Sequence, residues 1–123
     1  MEAMAPEPAH VLVVDDNVEY AQNIAEILEI GGCATQVFST AEEALPVALA
    51  PRVTVVITDY RLPGMNGVEL VRRIRSARDG VQAVVISAYA DEKAVDAARL
   101  LGAQFLSKPI DFGVLGRLVR VIS

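Results

Sequence analysis

Five polar side chains stand where apolar runs of this sequence stop. Asp15 and Asp16 follow HVLVV (His10 to Val14), Asp59 follows the β-branched run Val53 to Thr58, Ser87 follows VQAVVI (Val81 to Ile86), and Lys108 follows AQFLS (Ala103 to Ser107). Each alone has a plain reading: an aspartate capping a helix or closing a turn, a turn hydroxyl, a solvated base. Together they offer a specific chemistry. Three carboxylates brought within a few ångströms repel one another, which raises at least one pKa unless a cation joins them. The ligands on offer are oxygens, with no paired His or Cys, so the cation is a hard one. Mg²⁺ fits, because it takes one or two carboxylates, keeps waters and completes its shell with phosphate oxygens. A lysine and a hydroxyl beside such a cation suit phosphoryl transfer onto a spare carboxylate. Asp59, central and at the mouth of a loop, is the expected nucleophile.

The elements that must position these groups read as follows. Val53 to Gly67 (VTVVITDYRLPGMNG) is a short strand buried on both faces, then a tight loop in which Pro63 fixes φ and Gly64 and Gly67 permit positive φ. His10 to Val14 and Val81 to Ile86 are similar buried strands; Cys33 to Phe38 alternates like a less buried one, and Ala103 to Ser107 is a short last strand. Between them lie apolar residues at helical spacing: Ala21, Ile24, Ile27 and Leu28; Ala41, Ala44, Leu45, Ala48 and Leu49; Val68, Val71 and Ile74, with Arg72, Arg73 and Arg75 outward; Ala94, Val95, Ala98 and Leu101; and Leu115, Leu118, Val119 and Ile122. Ser39 or Thr40 is expected to cap the second helix with Glu42 or Glu43, Asp91 the fourth and Asp111 the fifth. Pro46 predicts a second helix that is kinked or short, and Gly113 and Gly116 a fifth that is marginal until docked. Gly31-Gly32, Asp79-Gly80 and Gly102 are stops or turns. Five strands thus alternate with five helices, and a right-handed, doubly wound α/β sheet is the expected architecture. All four polar strand ends then face one rim, the edge where open parallel sheets bind ligands.

Composition sets the bounds. At 123 residues the chain is expected to form one domain, residues 9–123, after a loosely ordered tail, residues 1–8. A formal net charge of −5 and a pI near 4.8 favour neither a nucleic-acid backbone nor an anionic membrane. The single cysteine, Cys33, excludes an internal disulfide, and neither a bilayer-length apolar run nor a signal-peptide pattern is present. A cytoplasmic location is the expectation. Cys33 and His10 read as structural.

Asp15-Asp16 after strand one, Asp59 with Leu62-Pro63-Gly64-Met65-Asn66-Gly67, Ser87-Ala88 after strand four and Lys108-Pro109 after strand five together resemble the response-regulator receiver domain of two-component signalling, over about His10 to Ile122. The resemblance implies a flavodoxin-like three-layer sandwich with strand order 2-1-3-4-5. It implies Asp59 as phosphoacceptor, and Mg²⁺ held by Asp16, Asp59 and the backbone carbonyl of Arg61, with Asp15 assisting through water. Ser87 and Lys108 would contact the phosphoryl oxygens, and the Lys108–Pro109 peptide would be cis. Ser87 and Phe105 would form the switch, and Phe105, lacking a hydroxyl, would favour the inward rotamer even without phosphorylation. Arg61 and Tyr89 would overhang Asp59 and tune phosphoryl lifetime. The implied donor is a histidine kinase or histidine phosphotransfer protein, and the implied contact surface, usable for a homodimer, is the helix 4–strand 5–helix 5 face. The expected protein is a switch that catalyses only its own phosphorylation and dephosphorylation.

Three other readings fit less of the pattern. A haloacid-dehalogenase-like, magnesium-dependent phosphatase places its nucleophile after strand one in a D-x-D pattern, where this chain has Asp15-Asp16-Asn17. A flavodoxin-like cofactor binder would want a phosphate loop there, and two aspartates repel phosphate. A phospho-independent interaction module would not require acceptor, acids, hydroxyl and lysine all to be in place.

Overall fold

The computed structural model describes residues 8–89 and 92–122, and of residues 118–122 the backbone only. The expected cap Asp91, the tail before Pro8 and the inward side chains of Leu118, Val119 and Ile122 lie outside the described residues. The order is β1 (His10–Val14), α1 (Val18–Ile30), β2 (Ala34–Phe38), α2 (Ala41–Ala48), β3 (Val53–Asp59), α3 (Gly67–Ala77), β4 (Gln82–Ser87), α4 (Glu92–Leu100), β5 (Gln104–Ser107) and α5 (Phe112–Ile122). All pairings are parallel, and the sheet runs β2-β1-β3-β4-β5, as expected.

Alternation along the buried strands sorts side chains between the two faces. Val11, Val13, Val55, Ile57, Val84 and Ile86 pack with Ala21, Ile24 and Leu28 of α1 and Leu115 of α5. Leu12, Val14, Val53 and Val56 meet the alanines of α2 and Leu70 and Ile74 of α3. Ala83 and Val85 meet Val68, Val71 and Ala98, completing the second face with α3 and α4. Helices α1 and α5 thus cover one side and α2, α3 and α4 the other. Each fully buried Leu or Ile in these layers, such as Leu12, Ile24 and Ile57, contributes about 1.5–3 kcal/mol by leaving water.

Several local expectations are corrected. Ala25 is buried where Ile27 was expected, and Ile27 and Val95 are only half-buried. Leu49 is 40% exposed, because α2 ends at Ala48 and Leu49 is its cap. The eight-residue length of α2, with Pro46 inside, matches the short helix expected. Arg75 is half-buried rather than outward; its stem lines a small cleft with Val71, Ile74 and Val81. Arg78 does work that its position in the sequence did not announce. Its guanidinium donates to the carbonyls of Ala48 (3.1 Å), Ala50 (2.6 Å) and Val53 (2.8 Å), tying the end of α2 to the start of β3. Among the described residues no helix is long and apolar enough to cross a membrane.

Candidate functional site

Register levels the strand ends. Val14 pairs with Thr58, so Asp15 emerges beside Asp59; Asp59 pairs with Ile86, so Ser87 lies one step beyond; Ser87 pairs with Ser107, so Lys108 comes next. The backbone continues the alignment past the strands, with Tyr60 N–H donating to the Ile86 carbonyl (2.7 Å) and Lys108 N–H to the Ser87 carbonyl (2.8 Å). The Lys108–Pro109 peptide is cis, as expected.

At the rim, carboxylate oxygens of Asp15, Asp16 and Asp59 lie within 4.8 Å of one another. Asp15 is wholly buried and both its oxygens are engaged: Oδ1 accepts from the Asn17 N–H (2.9 Å) and Oδ2 from Lys108 Nζ (2.9 Å). The same amine stands 3.4 Å from Asp59 Oδ2. Asp59 is 7% exposed and Asp16 is open to solvent. Burial, and after it the neighbouring charge of Asp15, hold the Asp59 carboxyl above the usual aspartate range, although Lys108 pulls the other way. For Lys108, burial opposes the charged amine, but the hydrogen bond and charge of Asp15, and then Asp59, outweigh it and raise the pKa. The amine is therefore a fixed cation shared between two acids.

Ser87 is buried, and its Oγ accepts from Tyr89 N–H (3.1 Å), which leaves its own proton to give. Arg61 and Tyr89, from the loops after β3 and β4, meet, the guanidinium carbon 4.8 Å from the ring centroid, with Tyr89 63% exposed. Phe105 is half-buried in the apolar cluster that holds Val68, Val71, Val85 and Ala98. The loop after β3 is held at two points. Asn66 caps α3, accepting from Glu69 N–H (2.9 Å), and Gly67 sits so close to the Asp59 carbonyl that a Cβ there would collide with it. Glu42, from α2, accepts from Met65 N–H (2.9 Å), and that bond lowers the Glu42 pKa. Gly64, with φ +77°, leaves room for the Glu42 carboxylate. Thr40 caps α2, its hydroxyl accepting from Glu43 N–H and donating to the Glu43 carboxylate, which leaves Glu42 for this contact. Glu42 and Tyr20 are the neighbours that sequence reasoning missed. Tyr20 places its ring centroid 4.7 Å from Lys108 Nζ and its hydroxyl 3.3 Å from Ile110 N.

The donor set suits a hard divalent cation. It is all oxygen, one of its acids is exposed, and its atoms fall within the span of a single ion's ligands. The acidic pocket is thus compatible with metal binding.

Residues 11–120 match the response regulator receiver domain family. The chain belongs to that family. A response regulator receiver protein of Anaeromyxobacter sp. (strain Fw109-5) is 41% identical over 100 residues, covering 80% of this chain and 42% of that protein. The chemotaxis protein CheY of Treponema pallidum is 34% identical over 122 residues, covering 94% of this chain and 83% of that one. A response regulator receiver protein from Pseudomonas putida is similar in structure, with a TM-score of 0.86 and 32% identity over 95% of this chain and 99% of that chain. The receiver domain spans about half the length, or less, of the first curated relatives it matches. Receiver domains are signalling switches of two-component systems, and the five-stranded sheet with order 2-1-3-4-5 agrees with that membership.

Proposed function

We propose that Asp59 accepts a phosphoryl group from the phosphohistidine of a histidine kinase or histidine phosphotransfer protein, in a Mg²⁺-dependent reaction, and that the phosphorylated domain changes its partner binding or its association with a second copy. The observation that carries this reading is the shared amine: Lys108 Nζ lies 2.9 Å from Asp15 and 3.4 Å from Asp59, beside a third acid. Each Asp15 oxygen already accepts a hydrogen bond, from Asn17 N–H or from Lys108 Nζ, so the attack falls to Asp59, the other buried carboxylate.

The residues take the following parts. Asp16, Asp59 and the Arg61 carbonyl would hold Mg²⁺, with Asp15 reaching it through water; the ion would neutralise charge on the transferring group. An Asp59 oxygen attacks phosphorus as the P–N bond breaks. The electron pair returns to the ring nitrogen, and the imidazole leaves neutral because its other nitrogen carries a proton. The product is an aspartyl phosphate. Lys108 faces one phosphoryl oxygen with a positive charge, and the Ser87 hydroxyl donates to another. The Arg61–Tyr89 stack overhangs the product and slows water's approach. Ser87 and Phe105 carry the change outward to the α4-β5-α5 face, which is the surface for a partner or a homodimer. The acidic net charge argues against direct contact with nucleic acid, and a cytoplasmic setting suits a phosphohistidine donor. Residues 9–123 make up the receiver unit in this reading.

The test is intact-mass analysis after incubation with acetyl phosphate and Mg²⁺. The wild type should gain one phosphoryl mass, while Asp59→Asn, or wild type in EDTA, should gain none. Equal labelling of Asp59→Asn, or no labelling of wild type at saturating Mg²⁺, would overturn the proposal.

A further inference from the structure

A lysine that must hold its charge at one point is a poor positioning device by itself, because its four-carbon stem has many rotamers. In this chain Lys108 also lies in the turn after β5, a four-residue strand at the edge of the sheet. Asp15 and Asp59 attract the amine, but the charge on Asp59 is the one that the proposed reaction changes. A holding contact independent of that charge comes from α1. Tyr20 stands in the first turn of that helix, where its N–H donates to the Asn17 cap (3.1 Å). Its ring packs on the core face formed by α1 and α5, and two contacts leave it on either side of Pro109. The ring faces Lys108 Nζ at 4.7 Å, and the hydroxyl accepts from Ile110 N–H at 3.3 Å.

We infer that Tyr20 is a positioning residue for the phosphoryl-transfer site, fixing the Lys108 ammonium with its ring and the Lys108-Pro109-Ile110 turn with its hydroxyl. The inference rests on the proposed role of Lys108 toward the phosphoryl group. A cation over an aromatic face is attracted by the ring quadrupole, and the attraction strengthens as water is excluded. Side-chain accessibility of Lys108 is 20%, so the contact is only partly screened. The ring supplies a seat that pulls the amine neither onto Asp15 nor onto Asp59, so the cation stays placed as the charge on Asp59 moves onto phosphorus. The hydroxyl prevents the turn from drifting away from α1. An aliphatic side chain such as leucine would fill much of the same space and do neither.

The experiment uses the full chain and four variants: Tyr20→Phe, Tyr20→Leu, Lys108→Ala and the Tyr20→Leu/Lys108→Ala pair. Initial labelling rates are measured with acetyl phosphate at saturating Mg²⁺, alongside proton NMR of the Lys108 ε-methylene. Tyr20→Leu should slow labelling by about three- to tenfold, the size expected for loss of one cation–aromatic contact, and Tyr20→Phe should stay within about twofold because the ring remains. In the Lys108→Ala background Tyr20→Leu should add nothing. The ε-methylene signal should sit upfield in wild type and Tyr20→Phe, shifted by the ring current, and return downfield in Tyr20→Leu. The same slowing by Tyr20→Leu with or without Lys108 would mean a merely structural tyrosine and overturn the inference. So would an unshifted ε-methylene in wild type, a result that stands even if Tyr20→Leu does not fold. A wild type that takes no label at all would instead sink the proposed function, leaving the NMR shift to judge the contact separately.

Discussion

Asp59→Asn should make the metal-free domain more stable, not less. Lys108 Nζ lies 3.4 Å from the Asp59 carboxylate, and Asp15 oxygens lie within 4.8 Å of it; at an effective dielectric near 20 that attraction is about 5 kcal/mol and the repulsion at least about 3.5 kcal/mol. The difference leaves the charged form of Asp59 no more than about 1.5 kcal/mol. Against this stands its withdrawal from water to 7% exposure, and a buried ion forfeits several kcal/mol of hydration. The raised Asp59 pKa has the same sign. An asparagine keeps the shape, removes the charge and leaves Lys108 paired with Asp15. The expected gain is about 1–2 kcal/mol at pH 7 in EDTA, or roughly 3–6 °C in Tm for each kcal/mol in a domain of this size.

The pH dependence follows from linkage. A carboxyl whose folded pKa is raised binds its proton more tightly in the native state, so stability falls as pH rises from the unfolded value toward the folded one. The penalty is complete above the folded pKa and absent below the unfolded one. Urea denaturation of wild type and Asp59→Asn across the acid range should therefore show the variant's advantage at neutral pH and lose it as Asp59 protonates. Saturating Mg²⁺ should also shrink it, because a ligand that binds only the native wild type stabilises by mass action. If Asp59→Asn were no more stable than wild type at pH 7 in EDTA, or equally advantaged at every pH, the account of a strained acidic cluster would be refuted.

Three further outcomes follow from the surroundings of the site. Cutting both Arg61 and Tyr89 to alanine removes their 4.8 Å stack, the proposed shield of Asp59, and should shorten the aspartyl-phosphate lifetime several-fold; an unchanged or longer lifetime, followed by mass decay, would discard the shield. Phe105 ring signals should already match the inward rotamer in the unphosphorylated domain and move little on adding beryllofluoride, whereas an outward-to-inward change would disprove the intrinsic bias. Glu42→Ala should speed hydrogen exchange at the Met65 amide by about three- to tenfold and weaken Mg²⁺ binding measured by calorimetry, with Glu42→Gln restoring most of both, because the amide oxygen still accepts.

The strand ends were legible in the sequence because a buried strand has to stop being apolar where it meets water. The polar residue at that point, be it Asp15, Asp59, Ser87 or Lys108, is conspicuous against its run. Parallel alternation then put the ends on one rim without further information. What could not be read was anything set by the docking of one element on another. Tyr20 looks like any residue of a first helical turn until α1 is laid beside the turn after β5. Its one available signal was its place three residues after the Asn17 cap, on the turn nearest the acids. Glu42 was ambiguous for a different reason. Two candidate caps, Ser39 and Thr40, each had an acid three residues on, and only the backbone shows that Thr40 uses Glu43. Arg75 and Leu49 failed because helical period predicts a direction, while burial also depends on where the helix ends and on how far an arginine stem can lie along an apolar neighbour.

These misses share a physical meaning. The acids and the lysine are the groups whose energies oppose one another, and the sequence displays them because they break hydrophobic pattern. The groups that hold them steady, the Tyr20 ring, the Glu42 carboxylate and the Gly67 backbone, act through uncharged or solvent-facing contacts that break no pattern. A cluster that repels itself can persist only if the scaffold around it does not depend on its charge state. The buried layers of α1, β1 and β3 supply that independence, since their stability comes from apolar area that neither Mg²⁺ nor a phosphoryl group alters. The strain at Asp59 is therefore stored in a rigid frame, and relieving it by cation binding should move the loops at the rim before it moves the sheet.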